Sequence, residues 1–503
     1  MNIKEKISIS IIIVIVGIFA VVFGMKKVSY YSDEVWTYGL ANNLNGINPS
    51  VEIGVKYSGY GPLDSFVKVK DGAGFNFANV IKNQTDDVHP PFYYFLVNSV
   101  CSIFADRFSK WYGISINLFW MVFIVIFLYK FARTLIANIF ASIGITAFYG
   151  LSVMFLDSLI FIRMYTQLTF FFIALSYLIK KYWDRQLDKF FSVCLSLVLL
   201  AGMLTHYYFL IFIFAICGSF LIKLRKDRRD EEFRKLAHTI LTAAIIYSAV
   251  WHQFFIHLFL GQRGQQAIYH AIVPKNIIKG PLYMIELINS QLLIGMLVIF
   301  LLLGMILLTL KIKHHEKIVS YNLVLLMVSI FYVFVVGTIA PFMDSRYIMP
   351  VGWVFAMEAY LITRSFFRHL NEKIIVEYAL LIVFLILDLV NLNKFGWRLP
   401  KDYYYQGLID IMALIEDYDA VVYLDEEWKP IIFFEELQHA KSYTYINEEN
   451  AHDVFDSMDN DFFVLTCVEP EDEEKLVENL DAELVYRYSG RSYYHVTKTQ
   501  QTP

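Results

Sequence analysis

Long apolar runs with almost no charge recur from residue 7 to residue 392, and they fix what this chain can be before any motif is considered. About 20 apolar residues in a helix cover the roughly 30 Å of hydrocarbon in a bilayer, and inside lipid the backbone must satisfy its own hydrogen bonds. Windows near that length fall at 7–24, 111–131, 134–154, 165–180, 190–205, 206–223, 236–258, 290–311, 319–339, 347–364 and 374–392. With 57% hydrophobic and only 18% charged residues, the chain is too apolar for an ordinary soluble globule. The expected fold class is an all-α polytopic membrane protein with about 11 transmembrane helices. The stretch Phe92–Ala105 is apolar but short of a full span, and suits an interfacial helix. No small-residue cleavage pattern precedes Met25-Lys26-Lys27, so the first run is expected to stay as a helix.

Charge sets the orientation. Short cytoplasmic loops collect Lys and Arg, and with the N-terminus cytoplasmic the inside loops hold 21 basic residues, including the run KLRKDRRDEEFRK at 223–235. The short outside loops then carry Arg163, Arg263, Lys275, Lys279 and Arg346. Counting 92–105 as a span would reverse every later loop. This topology leaves a large outside loop at 25–110 and an extracytoplasmic tail. The tail is a separate electrostatic world: residues 393–503 hold 9 Lys and Arg against 24 Asp and Glu, whereas 1–392 hold 34 against 23. Strand-like runs at 420–424, 441–446, 461–468, 482–490 and 491–498 alternate with helical ones, which predicts a small soluble α/β domain at 393–503 after a membrane domain at 1–392.

Four cysteines, scattered one by one, imply neither a disulfide framework nor a metal site. No glycine-rich phosphate loop appears, and no metal-ligand spacing such as HExxH or CxxC. No cofactor, no metal and no nucleic-acid partner is expected.

The polar residues that interrupt the apolar pattern collect on one predicted face. After the first helix comes Asp33-Glu34 among Tyr30, Tyr31 and Trp36; an aspartate at the mouth of a membrane cavity can take a proton from an attacking hydroxyl. Next is Asp86-Asp87-Val88-His89-Pro90-Pro91, where two prolines launch the short helix. Arg163-Met164-Tyr165 follows Asp157, Thr205-His206-Tyr207-Tyr208 marks a further turn, and Asp344-Ser345-Arg346-Tyr347 precedes the tenth span. An arginine at a membrane boundary is either a snorkelling anchor or a planar fork for phosphate oxygens. Taken together, these five constellations point to one assembled site.

In this order, Asp-Glu after the first helix, His-Pro-Pro-x-Tyr-Tyr before a short apolar helix, Arg-Met-Tyr, Thr-His-Tyr-Tyr and Ser345-Arg346-Tyr347-x-x-Pro350, the sequence resembles the GT-C glycosyltransferases over roughly residues 1 to 390. The nearest branch is that of protein O-mannosyltransferases and lipid A aminoarabinose transferases, glycosyltransferase family 39-like. The resemblance implies transfer of a sugar from a polyprenyl-phosphate carrier to an envelope acceptor at the outer face of the cell membrane. It implies Asp33 as the base with Glu34 supporting it, and His89, Arg163, Tyr165, His206, Tyr207, Arg346 and Tyr347 around donor or substrate. Related sequences often carry an acid two positions before the arginine of Arg-Met-Tyr; here Phe161 stands there, with Asp157 as the nearest substitute. The rival reading of the same helices is a polytopic secondary transporter or flippase of envelope precursors, with Glu358 and Glu377 as proton relays.

Overall fold

The computed structural model describes residues 2–314, 320–370 and 375–498; Lys317 and Lys373, counted above among the inside loops, lie outside the described residues. The chain gathers into two compact units. One comprises Met1–Lys26, Val88–Tyr93 and Gly113–Lys401, and the other Lys27–Asp87, Tyr94–Tyr112 and Asp402–Pro503.

The first unit is helical. Among the described residues, Ile3–Lys26, Lys110–Leu135, Tyr321–Ile339 and Ile375–Lys394 are each long and apolar enough to cross a membrane, and two bent pairs raise that to six. The other windows lie on Tyr165–Tyr182, Lys189–Met203, Phe209–Lys226, Leu297–Lys313 and Met349–Leu370. The short apolar helix spans Phe92–Ile103.

Two windows expected as single helices are broken. Ser152 is extended, and its hydroxyl accepts from Phe155 N, so it starts a new helix: Ile139–Leu151 gives way to Val153–Ile160 at 54°. Asp230–Val250 likewise turns by 92° into Gln253–Leu260. The stretch 259–289, expected as an outside loop, instead forms the helices Gln262–Ile272 and Pro274–Gln291. The second of these presses on Tyr321–Ile339 at a glycine pair, where a Cβ on Gly280 would lie 1.9 Å from the Gly337 carbonyl oxygen. Only glycine permits backbones that close.

The second unit carries a six-stranded sheet: β1 (Lys56–Tyr57), β2 (Asp419–Tyr423), β3 (Ser442–Ile446), β4 (Phe462–Thr466), β5 (Ala482–Tyr488) and β6 (Arg491–Val496), in the order β1-β3-β2-β4-β6-β5. β2 pairs parallel with β3 and β4, placing Ala420 opposite both Tyr443 and Phe463, and the remaining pairings are antiparallel. The parallel strands read as continuous apolar runs because both faces are covered; Val421, Ile446, Phe455, Phe462 and Val464 form one buried cluster. Ser489 and Gly490, at φ 51° and 79°, make the tight turn between β5 and β6. The tail's strands fall on the runs read from the sequence. The sheet is not the tail's alone, since β1 comes from the first loop.

Candidate active site

The helical unit draws four of the five sequence constellations together. Helix Val153–Ile160 ends at the extended Phe161, and Asn117, buried in Lys110–Leu135, gathers that end: its Nδ2 lies 2.7 Å from Phe161 O, 3.2 Å from Leu159 O and 3.4 Å from Ser158 O. One amide thus ties down carbonyls that a helix end leaves open, and fixes the turn carrying Arg163. The His-Pro-Pro segment is tied to the Thr-His-Tyr-Tyr turn by Phe92 N donating to Leu204 O at 3.0 Å. Gln167 Nε2 donates to Thr205 Oγ1 at 2.9 Å, holding the same turn against the helix that follows Arg163.

On this frame Arg163 Nη2 lies 3.1 Å from His89 Nε2. The rings of His89 and His206 are 5.9 Å apart, and Tyr165 packs 5.6 Å from His206. His89, Arg163 and Arg346 all bear electrostatically on His206. Arg346 sits in the short turn Ser345–Tyr347, whose start is capped by Asp344 accepting from Arg346 N at 3.0 Å. Arg346 Nη2 donates to the Tyr347 hydroxyl at 3.0 Å, and its guanidinium lies over the rings of Tyr347 and Phe342. Tyr347 in turn packs against Tyr165 and Tyr208. Arg163 and Arg346 keep 4% and 3% of their surface. That burial decides against snorkelling anchors, whose charged heads reach water.

Of the seven residues expected at the donor, His89, Arg163, Tyr165, His206, Arg346 and Tyr347 therefore converge. Tyr207 engages a second network: its hydroxyl lies 2.7 Å from His257 Nδ1 and accepts from Trp251 Nε1 at 2.9 Å.

The sequence reading missed Lys401. Its Nζ donates to Asp344 at 2.7 and 2.9 Å, and its backbone N–H donates to Asp157 Oδ1 at 2.7 Å. Burial pushes the Asp344 carboxyl up, but Lys401 and Arg346 outweigh it and hold the group below the ordinary carboxylate range. Asp157, the substitute for an acid at Phe161, is fully buried and anchors the Lys401 turn. The Lys401 ammonium lies 4.8 Å over the Phe161 ring, so a cation faces the position at which the resemblance would place an acid. The one advance signal was a lysine just past the last apolar run. Arg263, which the sequence places in an outside loop, shares the Phe342 ring with Arg346.

The fifth constellation belongs to the other unit. Asp33 and Glu34 lie in the first turn of helix Ser32–Asn42, where negative charge suits the helix dipole. Glu34 is fully buried; its Oε2 accepts from Tyr31 N at 2.8 Å and from Lys27 Nζ at 3.0 Å. It closes the helix start as a capping box does and neutralises a lysine. Asp33 is half-buried, and its carbonyl accepts from Thr37 Oγ1. The two neighbours thus have different circumstances: Glu34 is held in place, and Asp33 is the more accessible carboxylate.

Solved structures share this architecture. ArnT from Cupriavidus metallidurans bound to undecaprenyl phosphate is 10% identical, with 97% of each chain covered and a TM-score of 0.55. The same protein in the apo state gives 0.51 at 10% identity, over 91% of this chain and 95% of that one. The archaeal oligosaccharyltransferase AglB from Archaeoglobus fulgidus, in complex with an inhibitory peptide and a dolichol-phosphate, is 10% identical with a TM-score of 0.50, covering all of this chain and 75% of that one. No family model and no curated protein matches the sequence. The fold is that of the GT-C glycosyltransferases, and the chain is that of a membrane protein. Two of these neighbours thus hold a lipid phosphate, undecaprenyl phosphate in ArnT and a dolichol-phosphate in the oligosaccharyltransferase AglB.

Proposed function

We propose that this protein is an inverting glycosyltransferase that moves a hexosyl or pentosyl unit from a polyprenyl-phosphate carrier to a hydroxyl of an envelope acceptor at the outer face of the cell membrane. The observation that carries this reading is the buried gathering of Arg163, His89, His206 and Arg346 in one aromatic-walled place. Guanidinium forks there would grip the phosphate and stabilise the charge it gains as the C1–O bond breaks. A phosphate monoester held this way needs neither a general acid nor a nucleotide. The acceptor hydroxyl, attacking C1 from the opposite side, must lose a proton, and Asp33 is the base that the resemblance implies. Glu34 supports it by fixing the first turn of the helix. Eleven spans, with a cytoplasmic N-terminus and an extracytoplasmic C-terminal region, are the topology that fits. The transporter or flippase reading gains nothing from the neighbours, which are transferases.

The test is transfer by the purified protein in the presence of a chelator. Turnover of a lipid-phosphate sugar is expected. Activity with a nucleotide sugar and no carrier, or activity that manganese or magnesium must restore, would overturn the donor assignment. Reporter fusions after residues 230 and 410 should report opposite sides of the membrane, and the same side for both would end the topology.

A further inference from the structure

A cavity of about 290 Å³ opens within the second unit, and none of its lining residues is among those assigned to the donor phosphate. Its lining has two characters. Tyr30, Tyr60 and Phe108 supply rings, with centroids 5.4 Å apart for Tyr30 and Phe108 and 5.8 Å for Tyr60 and Phe108. Phe434 backs them, stacked 4.8 Å from Tyr60 and edge-on 5.7 Å from Tyr30, so the aromatic wall is rigid. The same lining includes Lys110 and Glu435. Lys110 Nζ donates to Lys27 O at 2.7 Å, which aims a short ammonium with further donors to give. Glu435 is nine-tenths buried; burial, with Glu436 adding to it, raises its carboxyl to about 8, so at neutral pH it keeps a proton to donate.

This lining selects a chemistry. Lys110 already donates to Lys27 O and Glu435 accepts from Gln438 Nε2, and an aliphatic ligand would bury their remaining hydrogen-bonding capacity unused, which is costly. A bare anion would use Lys110 and leave the rings idle. A sugar ring has an apolar C–H face for aromatic stacking and a rim of hydroxyls that both donate and accept. The volume stands at the low end of small-molecule sites, about 300 Å³, which suits one ring and not a chain of them. Tyr30 also lies three residues before Asp33, in the same unit.

We propose that this cavity binds one pyranose unit of the acceptor, making the acceptor a glycan, with the ring on Tyr60 and Tyr30 and its polar edge against Lys110 and Glu435. The proposal rests on the transferase reading. The experiment uses the full chain in lipid nanodiscs, free of sugar-headed detergent, with maltotriose and trigalacturonate as probes and saturation-transfer NMR as the readout. At least one probe should bind. Tyr60→Ala and Lys110→Met should each weaken binding about 5-fold or more, the size of a stacking contact of about 1 kcal/mol, while Tyr60→Phe keeps it. No transfer to either probe, or equal signals from wild type and both disruptive variants, overturns the cavity. Turnover of a lipid-phosphate sugar is followed on the same preparations. Turnover with cavity-independent binding sinks this proposal alone, whereas cavity-dependent binding without turnover removes the transferase reading and with it the acceptor role.

Discussion

Arg346 and Arg364 bracket the helix Met349–Leu370, one just before its start and the other in its last two turns, about 27 Å apart at a helical rise. They are the same residue in opposite chemistries. Arg364 Nε donates to both oxygens of Glu377 at 2.9 and 3.0 Å, and Nη2 adds a third contact at 2.6 Å. That is a pair whose charge is answered in place by a fixed carboxylate. Arg346 instead hydrogen-bonds a phenol, lies over two aromatic rings, and shares Asp344 with Lys401. Imidazoles and a second arginine stand close by. A closed ion pair serves folding; a gathering of cations, imidazoles and phenols suits the arriving anion of the proposed reaction. The pairing of Glu377 with Arg364 gives it a structural partner, whereas the transporter reading would make it a proton relay.

Asp33→Asn should have the largest effect, because a removed general base typically costs about 10²- to 10⁴-fold in rate. Transfer measured on protein that still purifies from the membrane checks this; near-normal turnover would make Asp33 a structural carboxylate. Next, Arg346→Lys should lose about 10- to 100-fold, nearly as much as Arg346→Ala, since charge-assisted hydrogen bonds of about 1.5–3 kcal/mol depend on the planar fork. A fully active lysine variant would erase the contrast between the two arginines. Glu377→Leu should do the reverse: it leaves a buried arginine uncompensated, costing about 3 kcal/mol or more of stability, and leaves turnover per folded molecule unchanged. The double variant Arg364→Met with Glu377→Leu should regain most of the thermal midpoint, as read by scanning fluorimetry.

An effect confined to the pH dependence of stability, with no change in turnover at neutral pH, is expected at Glu435, a carboxyl held neutral by burial. Its folded value of about 8 lies above the ordinary 4.5, so the fold favours the protonated form. That contribution is complete below about pH 4.5 and is lost as the pH rises through about 8. From pH 5 to pH 8.5, roughly, the wild-type midpoint should therefore fall relative to that of Glu435→Gln. Parallel curves would show that the group titrates normally.

What could be read from the sequence was what local composition determines. Apolar runs become helices in lipid because the backbone has no other partner there, and the tail's alternating runs fall on β2 to β6. What escaped depended on particular hydrogen bonds and contacts that composition does not specify, most of them between residues far apart in the chain. Ser152 reads as one polar residue in an apolar run, and becomes a helix start only because its hydroxyl turns back on Phe155 N. The helix Pro274–Gln291 lies in a window that charge marked as loop, and its packing rests on two glycines far apart in sequence. Arg163, His89 and His206 were legible as residue types in a resembling order, whereas Lys401 joined them through Asp344 and Asp157, a contact no spacing encodes.

The pairing of β1 with β3 carries a consequence of another kind. Lys56 lies opposite Thr444 in one sheet, so both ends of the intervening chain must emerge on the same side of the bilayer. Between them the polypeptide can cross only an even number of times. With a single crossing by Ile3–Lys26 ahead of β1, an even number there agrees with the proposed topology, in which residues 1 and 503 face opposite compartments. Two backbone segments in register thus act as a parity check on every hydropathy count of this chain: an odd tally between residues 57 and 442 would tear the sheet apart.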